Sequence, residues 1–200
     1  MTASTTLRVP YITAWSDEAV PQNLAFRYHV EAGGLRLTYT DPHDSDWVYG
    51  VLRARQGLSQ RGRPEWRLVN TLRQWRCMEH SLCQVCGQTA VDERERIWWV
   101  LTDTDGTSMG DGYTNAPPTC CACIPEAIAS CPRLRTSAAV YTAGGSAPFA
   151  VLAHEFAFGT GGAVLVERNV LIDLDEFRRL NGALAQQLVV TLSDLRREDL

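Results

Sequence analysis

The chain predicts an α+β fold organised around a metal-bound centre, on three observations. Cys83-Gln84-Val85-Cys86-Gly87 is answered by Cys120-Cys121-Ala122-Cys123, two cysteine pairs each at two-residue separation. Strand-like alternation marks the first fifty residues, and strand-like runs return over 138–172. Between them, apolar residues recur at helical spacing.

Two hundred residues, 45% of them hydrophobic, suffice to bury one sizeable core. We expect one domain in three segments: an N-terminal β unit over 1–56, an arginine helix with a zinc treble clef over 57–135, and C-terminal strands and a helix over 136–200. The start, 1–6, is polar and lacks the basic and apolar regions of a secretion signal, and no run approaches a membrane span. A soluble, cytoplasmic protein without membrane attachment is therefore expected. Seven cysteines in such a chain point to reduced thiols and metal ligation rather than to a disulfide framework.

In the first segment Leu24, Phe26, Tyr28 and Val30 alternate with polar or small neighbours. Gly33-Gly34 provides a turn, and Leu35, Leu37 and Tyr39 alternate back, so a β-hairpin is predicted. Residues 47–52 read as a third strand. The intervening Asp41, His43, Asp44 and Asp46 read as turn chemistry rather than as hard-metal ligands.

Pro64-Glu65 has the form of a helix start, and Leu68, Leu72, Trp75 and Met78 then form one stripe. A helix is predicted over 64–80, with Arg67, Arg73 and Arg76 beside or opposite the stripe and outward. All the basic residues are arginine; there is no lysine. Segment 53–76 holds seven arginines against the single acid Glu65, a charge of +6 in a chain whose net charge is −4. The overall acidity speaks against a general nucleic-acid binder, but this polarisation allows one basic face.

Cys83 and Cys86, followed by Gly87, suit a tight knuckle, and Cys120 and Cys123 suit a helix start; the four together suit one closed tetrahedral Zn²⁺ site. Cys120 is preferred to Cys121 because it keeps the two-residue spacing to Cys123. A set drawing on Cys77-x-x-His80 is the alternative. Residues 97–101 are strongly β-forming, 103–115 must be a loop, and 124–129 read as a short helix ending before Pro132. Knuckle, hairpin, second cysteine pair and helix follow one another as in a treble clef. Four thiolates saturate the ion and leave no position for an activated water, so the centre is structural.

Several stretches resemble an uncharacterised family of actinobacterial, Streptomyces-type proteins. They are Arg-Gln-Trp-Arg-Cys-Met at 73–78, Leu-Cys-Gln-Val-Cys-Gly at 82–87, Pro-Pro-Thr-Cys-Cys-Ala-Cys at 117–123, Cys-Pro-Arg-Leu-Arg at 131–135 and Val-Pro-Tyr-Ile-Thr-Ala-Trp-Ser at 9–16. The resemblance implies no activity; it implies a treble clef embedded in one larger unit.

The treble clef is also the scaffold of HNH nucleases, which need histidines between the cysteine pairs; residues 87–119 contain none. A zinc deaminase needs His-x-Glu, and the chain offers only the adjacent His154-Glu155.

Strands are predicted over 138–142, 148–158 and 163–172. A long helix capped by Asp173 or Asp175 is then predicted to close the core, or to pair with its copy in a homodimer, through Phe177, Leu180, Leu184, Leu188, Leu192 and Leu195. The function expected is that of a zinc-stabilised binding or regulatory protein rather than an enzyme. Its ligand-binding residues would be Arg67, Arg73 and Arg76, and its partner nucleic acid or, second, an acidic protein surface. The alternative is a small-molecule enzyme with a structural zinc and a pocket built on His29, His43 or His154.

Overall fold

The computed structural model describes residues 8–102 and 112–199. The expected polar start at 1–6 and most of the expected loop at 103–115 lie outside them. The fold is α+β, mostly sheet with few helices. In chain order the elements are β1 (Thr13–Trp15), β2 (Leu24–His29), β3 (Gly34–Tyr39), β4 (Trp47–Val48), β5 (Val51–Arg53), β6 (Pro64–Val69) and α1 (Thr71–Glu79). Then come β7 (Ile97–Thr102), β8 (Tyr113–Thr114), α2 (Ile124–Ser130), α3 (Pro132–Ser137), β9 (Ala138–Ala143), β10 (Gly145–Gly159), β11 (Gly162–Asp173), α4 (Phe177–Leu180), β12 (Ala183–Ser193) and β13 (Arg196–Glu198).

The main sheet has the order β11-β10-β12-β5-β4, with β8 also on β12; β13-β9-β7 form a second sheet, and β2-β3 and β1-β6 form two ribbons. β5 pairs with β12 in parallel, at Leu52↔Leu184 and Arg53↔Ala185, so the first and last segments share one sheet. The chain passes between the two large sheets at adjacent corners. Gly144 N–H donates to the Ser193 carbonyl at 2.9 Å, and a Cβ on Gly144 would lie 2.9 Å from Asp194 Oδ2. Arg96, buried, pins this corner: it donates through Nη1 to Asp194 Oδ2 at 2.6 Å and through Nε to Thr142 Oγ1 at 2.8 Å.

The predicted β2-β3 hairpin forms, in the register Leu24↔Tyr39 through His29↔Gly34, with Gly33 at φ +63° in its turn. Its apolar face, Leu24, Phe26, Leu37 and Tyr39, packs with Leu52, Leu184 and Phe156. The expected single strand over 47–52 is two: Tyr49 (φ +51°) and Gly50 (φ +77°) turn the chain so that Trp47 faces Leu52. Positive φ at both central residues gives the turn the twist an antiparallel pair needs. The three C-terminal strands appear as expected as β9, β10 and β11, slightly longer than predicted.

Two predicted helices require correction. Residues 64–69 are strand β6, paired with β1, and the helix begins only at Thr71. Asn70 is its N-cap, its side chain accepting Arg73 N–H at 3.1 Å, and an N-cap asparagine is a stronger start signal than Pro64. Trp66 and Leu68 alternate with Glu65 and Arg67, a period of two that the helical stripe had absorbed. The long C-terminal helix is likewise absent. Residues 177–180 make one helical turn, and 183–193 are β12, at the centre of the main sheet. Leucines four apart lie on one side of a helix and also on one side of a regular strand, because four is close to 3.6 and a multiple of two. In β12 a register irregularity between Ala185 and Gln187 intervenes, and Leu184 joins the hairpin's cluster while Leu188 joins the main core. The element expected to pair two copies in a dimer is thus an interior strand.

The main core joins α1 to both large sheets through Trp75, Trp99, Val151, Ile172 and Leu188, and it takes in Cys83 and Cys123. No helix among the described residues is long and apolar enough to cross a membrane.

Candidate metal centre

Cys83 and Cys86 sit on a knuckle closed by two backbone bonds, Cys83 N–H to the Gln88 carbonyl at 2.7 Å and Gly87 N–H to the Cys83 carbonyl at 2.8 Å. Gly87 holds φ +73°, a conformation that favours glycine, and a Cβ there would lie a tight 3.1 Å from the Tyr11 ring. Val85 N–H points at Cys83 Sγ, 3.4 Å away. The knuckle therefore places a backbone dipole against one cysteine sulfur.

Cys120 caps and Cys123 ends a 3-10 turn over Cys121–Cys123 that runs straight into α2, with Cys123 N–H donating to the Cys120 carbonyl at 2.8 Å. Gln84 ties the halves together: its backbone N–H donates to the Pro118 carbonyl at 2.8 Å and its side chain to Thr119 Oγ1 at 2.9 Å. The N-terminal segment docks on the same knuckle through Tyr11 N–H to the Val85 carbonyl at 3.1 Å. Such cross-links position all four thiols before any ion is considered.

The Sγ atoms of Cys83, Cys86, Cys120 and Cys123 all lie within 4.8 Å of one another, and the Cys86–Cys120 separation is 3.8 Å. All four are free thiols. A tetrahedral ion with metal–sulfur bonds of about 2.3 Å sets its sulfurs about 3.8 Å apart. The donor set fits a metal ion, with Cys83 and Cys123 buried and Cys86 and Cys120 half-buried.

Burial pushes the Cys83 thiol up, against the hydrogen bonds it receives, and likewise raises Cys123, where the neighbouring thiols add to the effect. Burial also acts upward on Cys86, but hydrogen bonds from the Gln88 backbone and the adjacent thiols outweigh it and hold that thiol low. A bound cation favours thiolate throughout, because its charge exceeds any other in the site.

The alternative set does not assemble. His80 is exposed at the end of α1 and outside the cluster. Cys77 is buried, its thiol 4.0 Å from the Cys83 carbonyl and pushed up to about 12 by burial. Cys121 points to solvent, and Cys131 is half-buried between α2 and α3. Asp41 and Asp46 both accept hydrogen bonds from Arg55, as turn chemistry does, and form no metal cluster among the described residues.

The three arginines expected to face a ligand divide. Arg67 on β6 and Arg76 on α1 are exposed, as are Arg61 and Arg63, and none of these four makes an ion pair among the described residues. Arg73 is 2% exposed and turned inward, donating to both carboxylate oxygens of Glu18 at 2.7 Å. The outward placement expected for it is corrected. Its partner lies 55 residues away, beyond any local pattern.

The histidines also separate. His29 and His43 line one cleft of about 430 Å³ with Arg27, Arg36, Asp44 and Trp47. His154 lines another, of about 530 Å³, with Phe156, Leu165, Arg168 and Leu184. Burial and the Arg168 charge lower the His154 pKa. No protein-family model, curated protein or solved structure matches this chain.

Proposed function

We propose that Cys83, Cys86, Cys120 and Cys123 hold one structural Zn²⁺ in a treble-clef arrangement, and that the protein is a binding or regulatory module whose exposed arginines contact nucleic acid. The carrying observation is the convergence of four thiols, two from a knuckle and two from a helix start, within 4.8 Å. Thiolate ligands in a closed four-coordinate set select zinc over oxygen-seeking cations.

The treble-clef reading draws support from the order of elements. After the knuckle the chain turns through Asp92 and Glu95 into β7, with Trp98 N–H donating to the Ala90 carbonyl at 3.0 Å, and the second cysteine pair opens α2. β7 takes its long pairing from β9 rather than from β8, which extends the hairpin into the second sheet.

The nucleic-acid reading draws on Arg61, Arg63, Arg67 and Arg76, with Trp66, 53% exposed, among them in sequence. Exposed cations suit a phosphate backbone, and an exposed aromatic ring suits its bases. An acidic protein surface is the other partner such charge would attract.

Metal analysis of purified protein tests the first part, with about one zinc per chain expected; substoichiometric metal in a well-folded sample rejects the site. Binding to a DNA or RNA strand that weakens steeply with salt tests the second. Salt-independent binding, or none, rejects it, and salt-dependent binding confined to acidic proteins selects the other partner.

The enzyme reading has less to stand on. Among the described residues no hydrogen bond joins His29 or His43 to Asp44, the carboxylate in their cleft, and the His154 cleft is lined by no carboxylate.

A further inference from the structure

The β2-β3 hairpin packs Leu24, Phe26, Leu37 and Tyr39 of one face against the core and turns its other face away. On that second face the register sets Arg27 directly opposite Arg36, with His29 and Thr38 in line with them. Like charges directly opposed across an antiparallel pair repel. Neither arginine forms an ion pair among the described residues; each instead reaches a backbone carbonyl, Arg27 that of Thr40 at 2.8 Å and Arg36 that of Gly50 at 2.6 Å.

The segment after β3 folds over this face and turns it into the floor of the 430 Å³ cleft, with Pro42, His43, Asp44 and Trp47 as its wall. The Arg36 guanidinium stacks over the Trp47 ring, 5.2 Å from its centroid. Two donors of these lining residues, Arg36 Nε and Trp47 Nε1, are buried with no hydrogen-bond partner among the described residues. Unmade bonds of this kind cost a fold stability unless something supplies an acceptor. His29 Nδ1 accepts Ala32 N–H at 3.3 Å, which in the neutral ring leaves the proton on Nε2 as a further donor.

We propose that this cleft is a phosphate-binding site, in which an oxyanion sits between Arg27 and Arg36 and gives acceptors to the Arg36 Nε–H and Trp47 indole N–H. Asp44 is the one carboxylate in its lining, against the cations Arg27 and Arg36 and the donors of His29, Thr38 and Trp47. Glu31 also acts on Arg36 but does not line the cleft, and a dianionic group gives both arginines a charge-assisted partner. Arginine forks match phosphate geometry in two-point contacts, so the pair selects phosphate over a simple monoanion. The site lies on different residues from the exposed arginines 61, 63, 67 and 76, so it stands or falls independently of the nucleic-acid reading of those residues.

The test is a nitrogen-15 NMR titration of the full chain with inorganic pyrophosphate, following the Trp47 indole and Arg36 Nε–H signals. Saturable shifts of both are expected. Arg27→Ala, a change at an exposed residue that leaves the fold intact, should weaken binding about tenfold or more, as removal of one charge-assisted hydrogen bond does; Arg36→Gln should do the same. Absence of saturable shifts up to about 10 mM ligand, where even a weak site fills, overturns the site, as does unchanged affinity in Arg27→Ala. Parallel titrations with a nucleoside monophosphate and a short single-stranded DNA separate the sources. A stronger response to the strand assigns the phosphate to a nucleic-acid backbone; a stronger response to pyrophosphate or the mononucleotide assigns it to a small phosphorylated ligand. Both support the site.

Discussion

Glu18 and Arg73 form a fully enclosed two-point ion pair, with Arg73 Nη1 and Nη2 each 2.7 Å from a carboxylate oxygen of Glu18 and neither side chain more than 2% exposed. Asn70 Nδ2 at 2.9 Å, Trp15 N–H at 3.0 Å and Gln60 N–H at 2.9 Å complete the shell around the carboxylate, and Arg73 also reaches the Thr13 carbonyl at 2.6 Å. Three separate stretches of chain, 13–18, Gln60 and 70–73, thus meet at one pair of charges. Removing either partner leaves the other buried and unpaired, so Arg73→Ala or Glu18→Ala should each destabilise by about 3–5 kcal/mol. Denaturant unfolding of the two single variants and the double variant checks this, and the double variant should lose less than the sum.

Acid should act through the same carboxylate. Burial alone would raise the Glu18 pKa, but the bonds from Arg73, Gln60, Trp15 and Asn70 outweigh it and hold it below the ordinary carboxylate value; Asp46, bonded by Arg55 and the His43 backbone, is lowered in the same way. A depressed folded pKa contributes stability that is complete above the unfolded value and is lost as pH falls through the folded one. Stability should therefore hold at neutral pH and decline below about 4.5, the ordinary glutamate value. Glu18→Gln should flatten part of that decline in a series of unfolding curves. An unchanged acid profile would mean that Glu18 contributes none of it.

Gln74 serves β12 as a substitute strand. From α1 its side-chain amide donates to the Leu188 carbonyl at 2.8 Å and accepts Leu188 N–H at 2.9 Å, and Nε2 also reaches the Asn115 carbonyl at 3.0 Å. A strand's edge is otherwise satisfied by another backbone; here β5 and β8 cover β12 on either side of this point, at 184–185 and 190–191. Gln74→Leu keeps the volume and leaves both Leu188 groups without partners, so a loss of about 2–5 kcal/mol is expected. The amide proton of Leu188 should lose its protection from hydrogen exchange first, which distinguishes this loss from general loosening.

What could be read from the chain beforehand follows a physical division. The knuckle and the β2-β3 hairpin are local: spacing of two residues, a glycine at positive φ and strict alternation specify them without reference to the rest of the fold. The sheet position of β12 is not local. Leu184, Leu188 and Leu192 satisfy helix and strand alike, and only burial on both faces by α1 and the hairpin decides for the strand. The inward turn of Arg73 depends on a glutamate 55 residues away. The Asn70-Thr71 start and the alternation of Trp66 and Leu68 were present as signals, but Pro64-Glu65 and the Leu68–Leu72–Trp75 spacing competed with them.

At the metal centre the ligands and their neighbours should respond differently to substitution. Cys83→Ser removes a buried ligand from the core cluster that also holds Trp75 and Trp99, so the protein should lose both metal and cooperative unfolding, since binding free energy in such a site is folding free energy. Cys121→Ser, at an exposed thiol one residue from Cys120, should retain full metal content and unchanged unfolding. A chelator should unfold the parent protein and Cys121→Ser equally, followed by loss of near-ultraviolet circular dichroism. If Cys121→Ser loses the metal and Cys120→Ser keeps it, the ligand assignment is wrong.

The arginine surface makes the most selective prediction, because three residues in one segment should behave in two ways. Arg67→Ala and Arg76→Ala remove exposed charges; surface changes of this kind leave stability within about 0.5 kcal/mol. If these residues neutralise phosphates, each should weaken binding to a nucleic-acid strand and lower the slope of log affinity against log salt by about 0.7–0.9 for each phosphate no longer neutralised. Arg73→Ala should weaken binding only in proportion to the unfolded fraction, since its charge is already neutralised by Glu18. Binding isotherms at several salt concentrations, on samples whose folding is checked by circular dichroism, separate the two behaviours. A slope unaltered in the Arg67→Ala, Arg76→Ala double variant would remove these arginines from the interface. A slope altered in folded Arg73→Ala would mean that the buried pair opens on binding.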